Sequence, residues 1–359
     1  MQVLVVISII FSNLFVFHNA HAQYLQRVSK IVIDAKTGIV LSQDSPDLQR
    51  YPASLTKLMT LYMTFKALQS GAITLRQEVP ISVHASMMEP SKLGLRPGMY
   101  LTVEQAILAL VTKSANDAAC ALGELLGHGN ELLFATMMTR QAHALGMTNT
   151  VFRNASGLPN PEQVTTARDL AILSRRIILD FPEYYHYFST PNFYFHGHYI
   201  PNHNPMLKEY VGADGMKTGY TQEAGHNLVT SALRDRVRLI GVVMGASSNT
   251  QRSIMMADQL DKGFKSEGIA PIPYHLTFAR IVPYNRQYRK KHHEYFMRKH
   301  KMRLTKNFYK RHRYNSAFTS LALVTRKHHT YPIKTKKRIT PVFYTRNILS
   351  SSRYHNNRT

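Results

Sequence analysis

Cysteine is almost absent from this chain of 359 residues, because Cys120 is its only one. A single cysteine excludes an internal disulfide, so a hydrophobic core must stabilise the fold. Tryptophan is absent, and acidic residues are scarce, with 21 Asp and Glu against 45 Lys and Arg. The residues around Cys120 are small and apolar. That setting predicts that Cys120 acts as a small buried hydrophobe.

Long apolar runs are also scarce. The run at residues 3–17 is too short to span a membrane comfortably, and the small-x-small sequence Ala20-His21-Ala22 follows it. We interpret residues 1–22 as a signal peptide that is cut after Ala22. The protein is therefore expected to be exported, to the periplasm or the outer face of the cytoplasmic membrane. An uncleaved anchor is the alternative, because Met1 and Gln2 provide no basic side chain.

Positive charge is concentrated at the C-terminal end. Residues 271–359 contain 22 Lys and Arg and one acid, Glu294. Self-repulsion on this scale opposes compact folding, so we expect a disordered basic arm. Basic residues interleaved with aromatic ones would suit nucleic acid. The export signal argues against that partner and favours an anionic membrane surface or a cell-wall polymer. A solvated arm without a specific partner is the alternative.

Residues 23–270 are enough to bury a core, as one domain or two subdomains. Two β-rich runs at 30–34 and 39–42 flank a Gly-ended turn and predict a hairpin. Strands are predicted at 79–84, 227–233 and 237–244, and helices over 102–111, 117–126, 131–145, 166–179 and 251–264. Strands at both ends with helices between them predict an α+β domain in which the terminal strands join one antiparallel sheet.

The first chemical motif is Ser54-Leu55-Thr56-Lys57 at the start of an apolar helix. Residues three apart lie on one helix face, about 5–6 Å apart at Cβ. A hydroxyl beside an amine provides a nucleophile and a base. The alternative is that Lys57 extends its amine to solvent.

Two further motifs follow in order. Ser114-Ala115-Asn116 is predicted to lie in a loop between two helices, where capping a helix is the competing role for both polar side chains. Lys217-Thr218-Gly219 lies on a strand-like run, and the missing side chain of Gly219 would let a ligand approach the backbone closely. Each motif alone is weak. The ordered set behind an export signal is typical of penicillin-binding proteins and class A β-lactamases.

On these motifs the sequence resembles the low-molecular-mass penicillin-binding proteins, serine-type D-alanyl-D-alanine carboxypeptidases of peptidase family S11. The most specific stretch is residues 214–228, and the resemblance covers residues 23–268. It implies a β-lactamase/transpeptidase-like fold, an antiparallel sheet flanked by helices with an inserted helical subdomain. The better-known members continue into a β-rich second domain and an amphipathic anchoring helix, and the basic arm matches neither.

The resemblance also implies the catalytic roles. Ser54 attacks the carbonyl between two D-alanines, and Lys57 takes its proton. The backbone N–H groups of Ser54 and Tyr220 stabilise the oxyanion. Ser114 relays a proton to the leaving D-alanine.

Substrate binding is implied in the same way. Asn116 holds the substrate amide, while Lys217, Thr218 and Gly219 bind around the terminal carboxylate. The implied partners are peptidoglycan stem peptides ending in D-Ala-D-Ala, with β-lactams as covalent inhibitors, and no nucleic acid.

The sequence argues against two rival functions and against a metal site. A class A β-lactamase would carry a Glu-x-x-Asn signature between the second and third motifs, and Glu162-Gln163-Val164-Thr165 lacks the Asn. A non-enzymatic wall-binding protein would have no need of intact motif residues. His196, His198 and His203 invite a zinc site, but no Cys or carboxylate partner stands at ligand spacing. We therefore expect no metal and no organic cofactor.

Overall fold

The structure is a computed structural model that describes residues 28–270 and 272. The predicted signal peptide lies outside these residues, as does the basic arm apart from residue 272. The strands of the described residues are β1 (Ser29–Asp34), β2 (Val40–Asp44), β3 (Glu78–Pro80), β4 (Tyr100–Thr102), β5 (Asn192–Phe195), β6 (His198–Pro201), β7 (Ala213–Thr221), β8 (Gly225–Arg234) and β9 (Val237–Ala246).

Helices fill the long connection between the second and seventh strands, and one more closes the described chain. The α-helices of this region are α1 (Lys57–Gln69), α2 (Val83–Ser86), α3 (Val103–Thr112), α4 (Asn116–Leu126), α5 (Glu131–Ala144), α6 (Ala167–Asp180), α7 (Met206–Glu209) and α8 (Asn249–Ser266). Two 3-10 turns, Ala53–Thr56 and Tyr185–Ser189, complete the set. None of the helices of the described residues has both the length and the hydropathy that crossing a membrane requires.

The main sheet is antiparallel and has five strands in the order β2-β1-β9-β8-β7. Strand β1 pairs along its whole length with β9, so the two ends of the domain meet in one sheet, as the sequence predicted. Alternate side chains of a strand face opposite sides. Accordingly, Ile31 and Ile33 enter the core shared with the helical region, whereas Val32 enters a second core. That second core packs under α8, with Leu260 and Phe264 fully buried.

Helix α1 runs through the centre of the larger core. Leu58, Met59, Leu61 and Phe65 are all fully buried, which confirms the predicted apolar helix. Such a helix is buried because its apolar residues cover nearly every face. It therefore provides a rigid base for the residues at its N-terminal end.

Two local predictions differ from the structure. The predicted strand at 79–84 ends at Pro80, because the Ser82 side chain accepts the Ala85 N–H and caps helix α2. Residues 192–201, where the sequence predicts no strand, form the β5–β6 hairpin, which turns at His196 and Gly197, both with positive φ. A capping box opens helix α3, since Thr102 Oγ1 accepts the Gln105 N–H at 3.1 Å and Gln105 Oε1 accepts the Thr102 N–H at 2.9 Å.

Candidate active site

Ser54 lies in the 3-10 turn that leads into helix α1, and Lys57 is the first residue of that helix. Lys57 Nζ is 3.0 Å from Ser54 Oγ. The Ser54 side chain borders a cleft, whereas Lys57 has no exposed surface. The sequence left open whether Lys57 extends to solvent, and its complete burial excludes that alternative.

Lys57 has two more partners besides Ser54. Its Nζ lies 2.7 Å from Asn116 Oδ1 and 2.5 Å from the carbonyl oxygen of Ser156. A neutral amine has two N–H donors and one lone pair. With both donors directed at Asn116 and Ser156, the lone pair is left for the hydroxyl of Ser54. The three contacts therefore suit an amine that takes a proton from Ser54.

The electrostatics of Lys57 favour this neutral form. Burial and then the charge of Lys217 lower the pKa of Lys57 well below its ordinary value, and Asp117 opposes them. The Asp117 carboxylate is already hydrogen-bonded, because it accepts the backbone N–H groups of residues 93–95. An amine with a lowered pKa is the kind of base that activates a serine.

The second motif lies beside Lys57, at the turn before helix α4. Ser114 has a left-handed backbone with φ 60°, and its buried Oγ has no hydrogen-bond partner among the described residues. Both ends of the Asn116 amide are hydrogen-bonded. Its Nδ2 donates to Glu89 O at 2.8 Å, and its Oδ1 accepts from Lys57 Nζ. The N-cap of α4 is Ala115, without a side-chain cap. The helix-capping alternative for Ser114 and Asn116 is therefore wrong.

The third motif lies on β7, the edge strand beside the start of α1. Lys217 is buried, and its Nζ donates to the Thr218 carbonyl at 2.9 Å. Burial and the charge of Arg252 lower the pKa of Lys217 to about 7. Lys217 can therefore change its charge near neutral pH.

Gly219 has a structural role in addition to the one that the sequence suggests. A Cβ on Gly219 would lie 3.1 Å from Ser54 N and 3.2 Å from Pro52 O. The missing side chain thus makes room for the chain's own backbone at the nucleophile, rather than only for a ligand. Tyr220 follows with an exposed side chain whose ring stacks on His226 at 4.4 Å.

A cleft of about 1060 Å³ joins the three motifs. Lys57 and Lys217 lie behind its wall, so the structure brings all the predicted residues together but exposes only some of them. The predicted residues that line the cleft are Ser54, Ser114, Asn116, Thr218, Gly219 and Tyr220.

Comparison with known proteins identifies this arrangement. The sequence model of a peptidase family, described as D-alanyl-D-alanine carboxypeptidase, matches residues 17–248. The chain belongs to this family. It is 33% identical over 249 residues to D-alanyl-D-alanine carboxypeptidase DacF of Bacillus subtilis, which covers 68% of this chain and 64% of DacF. The chain thus spans a little less than two thirds of that relative's length.

Solved structures agree with this family membership. Penicillin binding protein 5 from Haemophilus influenzae has a TM-score of 0.64 and 36% identity, over 66% of this chain and 70% of that one. Penicillin-Binding Protein D2 from Listeria monocytogenes, solved in its cefotaxime-bound form, has a TM-score of 0.60 and 30% identity, over 66% of this chain and 96% of that one. The predicted fold class, an antiparallel sheet with flanking helices, is confirmed.

Three residues of the site had no catalytic or substrate-binding role in the sequence prediction. Asn227 on β8 donates to Tyr51 O at 3.0 Å and to Pro52 O at 3.2 Å, which ties the nucleophile turn to the sheet. Arg252 on α8 lines the cleft and donates to Asn249 Oδ1 at 2.8 Å. Asn227 fell within the most specific matched stretch, but nothing in the sequence marked Arg252.

His203 is the third residue. It lines the cleft, whereas His196 and His198 are exposed on the β5–β6 hairpin. Burial and then the charges of Lys217 and Lys113 lower the pKa of His203 to about 4, so its imidazole is neutral at pH 7. No group of three potential metal ligands in the described residues includes any of these histidines.

Proposed function

We propose that the protein is a serine-type D-alanyl-D-alanine carboxypeptidase that acts through a Ser54 acyl-enzyme. It removes the terminal D-alanine from peptidoglycan stem peptides, and so takes part in peptidoglycan synthesis and remodelling. The observation that carries the proposal is the 3.0 Å contact between Ser54 Oγ and Lys57 Nζ. The amine is buried, its pKa is lowered, and its two other contacts accept its N–H donors.

The first half-reaction forms the acyl-enzyme. Ser54 Oγ bonds to the carbonyl carbon between the two D-alanines while its proton passes to Lys57 Nζ. The N–H groups of Ser54 and Tyr220 stabilise the oxyanion, and one such donor typically contributes about 3 kcal/mol to lowering the barrier. The peptide C–N bond then breaks, and the leaving amine takes a proton relayed through Ser114.

The second half-reaction is the same path in reverse with water in place of the amine. Lys57 accepts a proton from water as the oxygen adds to the ester carbonyl. The ester C–O bond breaks, and Ser54 recovers its proton. The two half-reactions need only proton transfer, and we propose that neither a metal nor an organic cofactor takes part.

Binding of a free C-terminus depends on the second and third motifs. Asn116 faces the cleft beside Ser54 and holds the substrate amide. Thr218 and Gly219 border the place of the terminal carboxylate, and Lys217 supplies positive charge from behind the strand. A charged Lys217 favours substrates that end in a carboxylate. β-Lactams carry a similar carboxylate, and the relative from Listeria monocytogenes was solved with cefotaxime bound. We propose β-lactams as covalent inhibitors.

Export and the basic arm complete the proposal. Residues 1–22 serve as the signal peptide, residues 23–270 form the catalytic domain, and the protein works in the periplasm or at the outer face of the cytoplasmic membrane. Residues 271–359 bind an anionic membrane surface or a cell-wall polymer through their 22 basic residues.

No specific observation favours the rival functions. Glu162, the nearest match to a β-lactamase deacylating residue, is exposed and pairs with Arg153 at 2.8 Å. A wall-binding protein without activity would not need the buried amine of Lys57.

The test is release of D-alanine from a soluble peptide that ends in D-Ala-D-Ala. The protein should release one D-alanine per peptide, and Ser54→Ala should release none. Thr221→Ser, a change in the same cleft, serves as a control and should release D-alanine as the unchanged protein does. Hydrolysis of a penicillin with no release of D-alanine would instead support a β-lactamase.

A further inference from the structure

We propose that His84, Cys120 and Glu124 form a binding site for a borderline-soft divalent cation of the Zn²⁺ class. The three residues come from helices α2 and α4, and none of them lines the catalytic cleft. Cys120 and Glu124 are one helical turn apart, so their side chains share a face. That face meets His84 from the short helix α2.

The distances match those of a metal site. His84 Nδ1 is 3.4 Å from Cys120 Sγ and 3.1 Å from Glu124 Oε1, and the three ligand atoms lie within 4.8 Å of one another. A tetrahedral zinc site with metal–ligand bonds of about 2.0–2.3 Å has N···S and N···O edges of about 3.3–3.6 Å. The two separations from His84 Nδ1 lie within a few tenths of an ångström of these edges, and the third, between Cys120 Sγ and a Glu124 carboxylate oxygen, is no more than 4.8 Å. Three protein ligands leave the fourth position to water.

The set of donor atoms selects the class of cation. An imidazole and a thiolate suit Zn²⁺ or Co²⁺, whereas Mg²⁺ and Ca²⁺ require oxygen ligands. Binding breaks the S–H bond of Cys120, forms a metal–sulfur bond and releases one proton to solvent.

The surroundings hold the ligands in place. Ser82 Oγ donates to Glu124 Oε1 at 2.8 Å, and Glu131 Oε2 lies 3.7 Å from His84 Nε2. With Nδ1 on the metal, Nε2 keeps the proton and faces the Glu131 carboxylate. Carboxylates placed behind a metal-bound histidine fix its tautomer and orientation. The His84 side chain is 56% exposed, so it can turn outward to admit a hydrated ion.

The site is connected to the catalytic wall through Glu131. Its Oε1 accepts the Ala155 N–H at 2.9 Å, and the next residue, Ser156, provides the carbonyl that Lys57 contacts. Cys120 also shares helix α4 with Asn116. A bound cation would thus stiffen the segments that position Lys57, without touching the reacting atoms.

Cobalt binding tests the site directly. Cys120 is the only cysteine of the whole chain, so thiolate-to-cobalt charge-transfer absorption can arise only here, whatever the histidines elsewhere bind. Untagged mature protein titrated with Co²⁺ should develop this band at one equivalent, and Zn²⁺ should remove it. Cys120→Ser should show no band while keeping its circular dichroism spectrum.

Ligand variants separate this site from adventitious binding. His84→Ala and Glu124→Gln should weaken Co²⁺ binding at least tenfold, and Glu131→Gln should weaken it by roughly 10–100-fold, as is usual for the partner of a metal ligand. His198→Ala, an exposed histidine on the β5–β6 hairpin, should bind Co²⁺ as the unchanged protein does. Absence of the band from the folded protein, or equal affinity in His84→Ala and Glu124→Gln, would overturn the proposal.

Discussion

The buried amines of Lys57 and Lys217 are electrostatically linked, because burial and then the charge of Lys217 lower the pKa of Lys57. The pKa of Lys217 is in turn lowered to about 7 by burial and by the charge of Arg252. The two lysines stand behind the cleft wall and Arg252 lines the cleft, so the charge of Arg252 lowers the pKa of Lys217 and the charge of Lys217 lowers the pKa of Lys57. This order gives Lys57 the role of base and leaves positive charge for a substrate carboxylate.

The buried charge of Lys217 should make stability depend on pH. Its pKa is about 7 in the folded protein against 10.5 in its ordinary state, so between these values the unfolded chain binds more protons. The free energy of unfolding should therefore rise with pH from 7 upward, by at most about 1.4 kcal/mol per pH unit. Urea denaturation at pH 7, 8 and 9 measures this slope. Lys217→Met should have a smaller slope, and equal slopes would show that Lys217 is not a buried titrating group.

The pH dependence of catalysis should have two limbs. We expect kcat/KM for D-alanine release to rise as Lys57 loses its proton and to fall near pH 7 as Lys217 loses its own, since the charge on Lys217 attracts the carboxylate. The methyl ester of the same peptide lacks that carboxylate. It should react more slowly and show no alkaline limb. A limb of the same pKa with both substrates would remove Lys217 from carboxylate binding.

Gly157 should be irreplaceable at the nucleophile turn. It has φ +84°, and a Cβ there would clash with the carbonyl oxygen of Ala53. Gly146 has a similar φ of +90° with nothing within 4 Å of its Cβ position, which makes it a matched control. Gly146→Ala should cost only the roughly 1–2 kcal/mol of a left-handed residue. Gly157→Ala should destabilise more and slow acylation, because Ser54 must move. Comparable stability and acylation in the two variants would contradict this reasoning.

The basic arm should be separable from catalysis. Deletion of residues 271–359 should leave D-alanine release from a soluble peptide unchanged, because every motif residue precedes it. The deletion should abolish sedimentation with anionic vesicles. Each Lys or Arg near such a surface contributes about 1 kcal/mol. Binding of the full chain should weaken with salt, since the Debye length falls from about 10 Å at 0.1 M to about 3 Å at 1 M. Vesicle binding that persists in 1 M salt would indicate a hydrophobic anchor instead.

Much of this molecule could be predicted because local patterns agree with the tertiary fold. The Thr102–Gln105 capping box and the apolar helix after Ser54 depend on short-range chemistry that the sequence displays directly. The pairing of β1 with β9 followed from placing strands at both ends of an α+β domain. The fold class therefore required no long-range information beyond the order of elements.

Other features depend on contacts that no local pattern contains. The Ser156 carbonyl that binds Lys57 is backbone, so its residue type carries no signal. The sequence predicts ligand approach at Gly219 but carries no sign of its close approach to the backbone of Ser54, 165 positions earlier. Cys120 is buried, as the sequence predicts, but its contact with His84 joins two separate helices and has no local signal. Each of these needed the tertiary structure.

The central claim is that Ser54 is the acylated nucleophile, and peptide mass mapping after exposure to a β-lactam tests it most directly. The folded protein should gain one adduct of the intact β-lactam mass, and digestion should place it on the peptide that contains Ser54. Ser54→Ala should gain none while its melting temperature stays within a few degrees, since losing one hydroxyl leaves the apolar packing of α1 in place. An adduct on any other residue, or labelling of Ser54→Ala, would contradict the assignment.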